Sequence, residues 1–535
     1  MNKDKVNNIE IAHIDRNGYN SIYCFDDCIA TIANRECIDY QLMYLDMENI
    51  VFDFEKAKRE QKVISGLLLK KQGDSEYNYL EKMHGLKIKD YFELSQEQLI
   101  SINKSELLAG KVVMVRLDSY YCEWDVLYQK EHTKHLGLCI GLDSNRVLLC
   151  DPFYGLNSIE MDISSFVKAN HGRISTYEIK TNASKLSQSS KNEVLKVYIE
   201  KHVFENRINN LMRLANAYGD MFNYETEYND FKEALKSFDK ILDVLVKTSK
   251  FYNLLKYIKP VDESIQCLMD EAVGSWVVVK NTLFKGFFKR KDDVGVKIQK
   301  RIIEIVEKEK KIFDYYCKDM CLQTNDKEFI DIDSIKELNV SEIIRSVYID
   351  TVDIEGMLNN NSFGDYNNNE CNADFTGLNE FLQYDDIDNI IKIDENIIVN
   401  TYISPENKND NLVCEGQGIE VNNKNLYERV GILCVSEFGE SIEVIKLKYS
   451  DNSQQKLHIK ITDVNDEPLF GEKIVWRGVT YQKDDNGNTT QRLNNAHLFW
   501  VEFKIKRDSS VNKIILPDCS NLHIYGIYFM NREFD

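Results

Sequence analysis

The chain has 535 residues, of which 43% are hydrophobic and 11% aromatic, with 67 Lys and Arg against 87 Asp and Glu. Its length exceeds one ordinary core and predicts about three or four compact units, and its apolar content excludes disorder as the main state. The net charge of −20 repels nucleic-acid phosphates and anionic lipid, so neither nucleic acid nor a membrane is expected as a partner.

The opening "MNKDKVNNIEIAHIDRNG" alternates charged and apolar residues and shows no cationic-then-apolar segment, so no export signal is expected. The longest apolar run, through "HLGLCIGL", is about eight residues, against the roughly 20 needed to cross a bilayer. A soluble, cytoplasmic protein follows as the expectation. Thirteen cysteines, an odd number at scattered spacing, predict free thiols in a reducing compartment. Cys317 and Cys321 in "CKDMC" lack the second Cys/His pair of a zinc tetrahedron, so they are assigned to packing and no metal is expected.

The first element, "YCFDDCIATIANREC" from Tyr23 to Cys37, has a helical apolar pattern. Cys24 and Cys28 lie one turn apart on one face, which predicts an exposed thiol with a buried one behind it. Cys28 shares its face with Ile32 and is assigned to the core. Cys24 stands where a loop containing Asn17, Gly18, Asn20 and Ser21 turns into the helix. Unpaired N–H groups there favour a thiolate and can stabilise an oxyanion. Asp26 and Asp27 act in the opposite sense, since nearby negative charge raises a thiol's pKa. A cationic imidazole must therefore stand close to the sulfur if Cys24 is a nucleophile.

Further on, "KVVMVRLD" predicts a strand from Val112 to Leu117. "HLGLCIGLD" and "RVLLCDPFYG" predict two more, joined as antiparallel neighbours by the turn "DSN". His135 opens the first of these two strands and Asp151 closes the second, so the two strand ends meet. Cys24, His135 and Asp151 can then converge as nucleophile, base and orienting acid, in the order of papain-like sites. His132, in the preceding loop, is the alternative base, and Asp151 before Pro152 also fits a simple turn. Trp124 and Tyr128, four residues apart, either wall a cleft or pack on each other.

From about Ser190 to Gln323 Gly and Pro are scarce and apolar residues recur at helical spacing. One stripe is Phe231, Leu235, Phe238, Leu242 and Leu245; another includes Ile302, Ile305, Ile312, Phe313 and Tyr316. An interruption is expected near Pro260, and the charged "EIVEKEKK" is read as a solvated face. After about Leu338 the text is Asn-rich and strand-like. Val501, Phe503 and Ile505 share one strand face, and His523, Tyr525, Ile527 and Phe529 share another. Turn clusters such as "DDNGN" separate strands, which predicts an antiparallel β-sandwich of nearly 200 residues. Trp476, Tyr481 and Trp500 are core aromatics before they are a sugar platform. "ENKNDN" and "DDNGN" offer oxygen ligands without the spacing of a calcium loop.

Three stretches, "YCFDDCIATI", "EWDVLYQKEHTKH" and "CDPFYG", resemble the butirosin biosynthesis protein H-like family and, more distantly, the bacteriocin-processing peptidases. The resemblance covers about the first third of the chain. It implies a papain-like α+β fold used as an acyltransferase in natural-product, or secondary metabolite, biosynthesis. An acyl group would move from the thioester of an acyl or peptidyl carrier protein to a small amine acceptor, forming an amide. Cys24 would be the nucleophile, His135 the base and Asp151 the orienting acid, with Asn20, Trp124 and Tyr128 as oxyanion or substrate candidates. The peptidases carry a glutamine oxyanion donor six residues before the nucleophile. Gly18 stands at that position here, and Asn20 is the nearest substitute. No cofactor is implied beyond a phosphopantetheine-bound acyl donor. "FGDYNNNECNADF", "NDNLVCEGQGIEV" and "NKIILPDCSNLHIYGIYF" resemble galactose-binding-like jelly-roll sandwiches. The expected organisation is a papain-like catalytic domain over 1–185, a helical bundle segment packing on it over 186–335, and a β-sandwich over 336–535. The alternatives are a degenerate papain-like scaffold that binds carbohydrate or a partner, and a cysteine hydrolase or peptidase.

Overall fold

A computed structural model describes residues 9–11, 23–69, 74–180, 185–228, 230–289, 293–318, 344–368, 371–384, 389–404, 408–422, 424–484, 487–505 and 508–534. The chain is a multidomain mixture of helix and sheet. It divides into two compact units that interleave along the sequence: Met1–Asn49 with Leu69–Val203 and Val246–Pro260, and Ile50–Leu68 with Phe204–Leu245 and Val261–Asp535. The helix-rich region is thus shared between them. Among the described residues no helix is long and apolar enough to cross a membrane.

In the first unit, α1 (Cys24–Arg35) is buried from Asp26 to Ala33. The sheet then builds from β1 (Leu86–Tyr91), β2 (Val113–Asp118), β3 (Lys134–Leu142), β4 (Arg146–Asp151), β5 (Leu156–Asp162) and β6 (Ile174–Ile179). Their order is β1-β6-β2-β3-β4-β5, every pairing antiparallel. The helix α2 (Gln96–Leu108) starts at a capping box in which Ser95 and Gln98 satisfy each other's backbone N–H groups. Leu99 and Leu107 of α2 join Val113, Val115 and Leu117 of β2 and Phe166 of α3 (Ile163–Asn170) in one apolar core. The predicted strand pair appears as β3 and β4, in register at Leu138 and Cys150. The first residues of β3 pair with β2, with Leu117 opposite His135, and β4 joins on the other side from Leu138 onward.

In the second unit, α4 (Val203–Met221), the first part of α5 (Phe231–Ile258), α6 (Glu263–Lys289) and α7 (Val294–Lys318) accompany the C-terminal strands. The break between α5 and α6 falls at Pro260, as its fixed φ and missing N–H require. The expected stripe on α5 is corrected: Phe231 and Leu235 are exposed and Leu242 is half-buried, whereas Ala234, Phe238, Ile241 and Leu245 are buried. Both sets have helical spacing, and neighbours rather than periodicity select the inward one. The α7 stripe, Ile302, Ile305, Ile312, Phe313 and Tyr316, is buried as read. The charged stretch on the same helix is not wholly solvated. Glu309 is completely buried and holds the equally buried Arg207 of α4 through Nη2 at 2.7 Å and Nε at 3.0 and 2.9 Å.

Most of the C-terminal strands form two sheets, and Ile390–Lys392 pairs with Ile398–Asn400 in a short two-stranded one. The larger contains β10 (Lys473–Lys483), β11 (Thr489–Lys504), β7 (Arg429–Ser436) and β13 (Asp518–Phe534) in that spatial order, and the smaller contains β12 (Val511–Ile515), β8 (Ser441–Tyr449) and β9 (Gln454–Ile461). These pairings are antiparallel, and both sheets feed one core that includes Leu433, Phe499, Ile524, Ile445, Ile459 and Ile514. His523 to Met530 of β13 are buried on both faces, so the alternation read there marks a central strand with no solvent side. Gly274 lets α6 lie against β8, since a Cβ there would sit 2.7 Å from the Ile442 carbonyl oxygen. Trp500 is buried, and its Nε1–H donates to Glu502 Oε1 at 3.0 Å. Asp410 of "ENKNDN" accepts from the backbone N–H groups of Ser362 and Phe363 and from the Ser362 hydroxyl, a structural use of its oxygens. Glu406 and Asn407 of that stretch, and Cys321, lie outside the described residues.

Candidate active site

Cys24 is the first residue of α1, preceded by Tyr23 in extended conformation, so its backbone N–H belongs to the unpaired first turn of the helix. The thiol is partly exposed, whereas Cys28 is fully buried, and burial pushes the Cys28 thiol well above its ordinary pKa. The helix therefore offers one accessible sulfur with an inert one a turn behind it, as the spacing predicts.

His135 and Asp151 meet across β3 and β4. His135 Nε2 lies 2.7 Å from Asp151 Oδ2, with the two side chains 7% and 1% exposed. Cys24 and His135 line the same cavity, and the thiol acts on the protonation of the ring. With Nε2 directed at the carboxylate, Nδ1 is the nitrogen left for sulfur. Trp124 Nε1–H also donates to Asp151 Oδ2, at 2.7 Å, and the Tyr154 backbone N–H approaches Oδ1 at 3.3 Å. Asp151 is thus held by three donors while it orients the imidazole. Phe153 and Tyr154 flank the ring at centroid distances of 5.8 and 5.6 Å.

Burial acts to lower the pKa of His135, but its hydrogen bonds to Asp151 and Cys24 outweigh this and push it up to about 10. The ring is then a cation at neutral pH beside the sulfur, which is the arrangement a nucleophilic thiolate needs. The linkage has a definite sign. A histidine raised from 6.5 to about 10 on folding stabilises the folded state fully below pH ~6.5 and loses that contribution as pH rises through ~10. Urea unfolding from pH 6 to 10 is expected to show a steeper alkaline loss of stability for the native chain than for His135→Gln; equal slopes would contradict it.

Asp26, one of the two acids beside Cys24, is met by a residue outside the motif. Lys250, on the part of α5 that belongs to this unit, lies 3.0 Å from Asp26 Oδ2 and 3.0 Å from Glu76 Oε1. It also stands over the rings of Tyr23 and Tyr44, at 5.0 and 5.6 Å. Burial raises Asp26 to about 6, partly offset by Lys250, while the two carboxylates hold Lys250 above its usual value against its own burial. Asp26 is therefore partly charge-compensated.

The sulfur opens into a cavity of about 630 Å³ whose wall includes Phe25, Tyr77, Arg116, Lys134, His171 and Arg173. His171 and Gly172 turn the chain from α3 into β6 with φ of 50° and 69°. A Cβ at Gly172 would lie 2.5 Å from the Leu94 carbonyl oxygen, so this turn needs glycine, and it sets His171 and Arg173 on the wall. No protein-family model and no curated protein matches this chain.

Of the residues expected from sequence, Cys24, His135 and Asp151 come together. His132 does not join them: it is exposed, pairs through Nδ1 with Asp118 Oδ2 at 2.7 Å and stacks on Tyr120 at 4.3 Å. Trp124 and Tyr128 lie in successive turns, not on a helix, so they are not a helical pair. Trp124 is a hydrogen-bonding support for Asp151. The Tyr128 hydroxyl accepts from Gln129 Nε2 at 3.0 Å, and Tyr128 is absent from the described wall of the cavity. Asn20, with Asn17, Gly18 and Ser21, lies outside the described residues. Trp124→Phe keeps a ring and removes the donor to Asp151. It is expected to slow alkylation of Cys24 by roughly tenfold, the worth of one hydrogen bond to a charged group, in a rate measurement with iodoacetamide near pH 6. An unchanged rate would remove Trp124 from the site.

Proposed function

We propose that the first unit is a papain-like cysteine acyltransferase of the butirosin biosynthesis protein H-like kind. Cys24 takes an acyl group from a carrier-protein thioester and passes it to an amine. The observation that carries this reading is the Cys24–His135–Asp151 constellation, with the thiol on the first turn of a helix and the imidazole on the end of an antiparallel strand.

The steps follow from the groups present. The Cys24 sulfur anion attacks the thioester carbonyl, and the tetrahedral oxyanion forms next to the unpaired N–H groups that open α1. When the C–S bond to the donor breaks, the donor thiolate leaves and takes the proton held by His135. The neutral imidazole then accepts a proton from the attacking amine, the amide forms, and the Cys24 sulfur departs as the anion paired again with imidazolium. Asp151 keeps the ring aligned throughout and remains a carboxylate. Two sheets around one core in the second unit support a jelly-roll, galactose-binding-like reading of the C-terminal strands.

The test is intact-mass analysis of the whole protein mixed with an acyl-carrier thioester, then with an amine. The expected result is one acyl increment on Cys24 that disappears as the amide forms. Release of free acid at the same rate with and without the amine would make the protein a hydrolase, and absence of any adduct would favour a binding scaffold.

A further inference from the structure

The cavity at Cys24 carries a charge opposite to that of the chain as a whole. Arg116 on β2, Lys134 opening β3 and Arg173 after the His171-Gly172 turn all line it, in a molecule of net charge −20. The two acids on the same wall are already engaged. Glu76 is held by Lys250 at 3.0 Å, and Asp118 lies 2.7 Å from His132 Nδ1 and 3.5 Å from His171 Nε2. Arg116 reaches Asp90 only at 3.6 Å and lies over the Phe92 ring at 5.3 Å. Lys134 and Arg173 are exposed and form no ion pair with a carboxylate among the described residues. With only Arg116 paired, the surplus of positive charge around this concave site creates a local positive potential that selects for anions.

Resting on the acyltransferase reading, we propose that Arg116, Lys134 and Arg173 bind an oxyanion, phosphate or carboxylate, carried by the thioester donor. The volume of about 630 Å³ lies within the range of cavities that enclose a small-molecule ligand. Binding one charged end at the cationic wall leaves the thioester free to approach the sulfur. The donor is therefore an acidic molecule: its charge lies either on the pantetheine arm, as a phosphate, or on the acyl group, as a carboxylate.

The test uses protection of Cys24 from iodoacetamide in the full-length protein by compounds that cannot acylate it. One arm compares pantetheine with 4′-phosphopantetheine; the other compares the S-butyl and S-(3-carboxypropyl) thioethers of pantetheine. In at least one arm the anionic compound is expected to protect at a roughly tenfold lower concentration than its neutral counterpart. That advantage is expected to vanish in Lys134→Gln/Arg173→Gln and to persist in the charge-conserving Lys134→Arg/Arg173→Lys. The first arm assigns the charge to the arm's phosphate and the second to the acyl group. Equal protection within both pairs, no protection at all, or an advantage that survives loss of both charges would overturn the proposal. A chain that shows the anion preference yet forms no acyl adduct with a thioester would defeat the transferase reading alone.

Discussion

Cys24→Ala is expected to abolish the acyl adduct and lower amide formation by at least about 1,000-fold, because a covalent route with no nucleophile has no partial form. His135→Ala is expected to fall nearly as far. The two losses are not additive, since sulfur and imidazole act as one unit: the double variant is expected to be about as inactive as either single one. The measurement is single-turnover acylation followed by mass, with circular dichroism to show that each variant folds. Cys28 supplies the control. Its thiol is buried and its pKa raised, so Cys28→Ala is expected to keep its adduct on Cys24. An adduct that persists in Cys24→Ala would show that another residue carries the chemistry.

The second large effect concerns stability. Arg207 and Glu309 are both buried and joined by hydrogen bonds at 2.7 to 3.0 Å. Removing one partner leaves the other charge in the interior, which costs about 3–5 kcal/mol. Arg207→Leu or Glu309→Leu is therefore expected to shift urea unfolding of the second unit strongly. Replacing both together by Met and Leu is expected to recover most of the loss, because an apolar pair of similar volume carries no desolvation penalty. If the double variant is as unstable as the single ones, the loss belongs to packing and not to the ion pair.

The parts of the site that could be read from sequence are those fixed by local pattern. β3 and β4 were legible because apolar runs flank a short turn, and that placement fixes His135 and Asp151 at meeting ends. Cys24 and Cys28 were legible because a spacing of four residues settles which faces they share. The role of Trp124 has no local signal: its indole reaches Asp151 because a run of turns, not a helix, aims it there. Lys250 left no local signal. A lysine within a long amphipathic helix looks solvated, and only tertiary folding brings it to Asp26 and Glu76. Two acids in the first turn of a buried helix were nevertheless a clue, since such charges require a partner. Glu309 misled for the same reason: "EIVEKEKK" looks like a solvated face until Arg207 is known to lie opposite.

The account depends on a sulfur at Cys24 paired with a cationic ring at His135. The most direct test is the rate of iodoacetamide alkylation of Cys24 in the full-length protein between pH 4 and pH 10. The pairing predicts substantial reaction well below pH 8, with that low-pH reactivity lost in His135→Gln. A single rise centred near the ordinary thiol value of about 8.5, unchanged by that substitution, would contradict it.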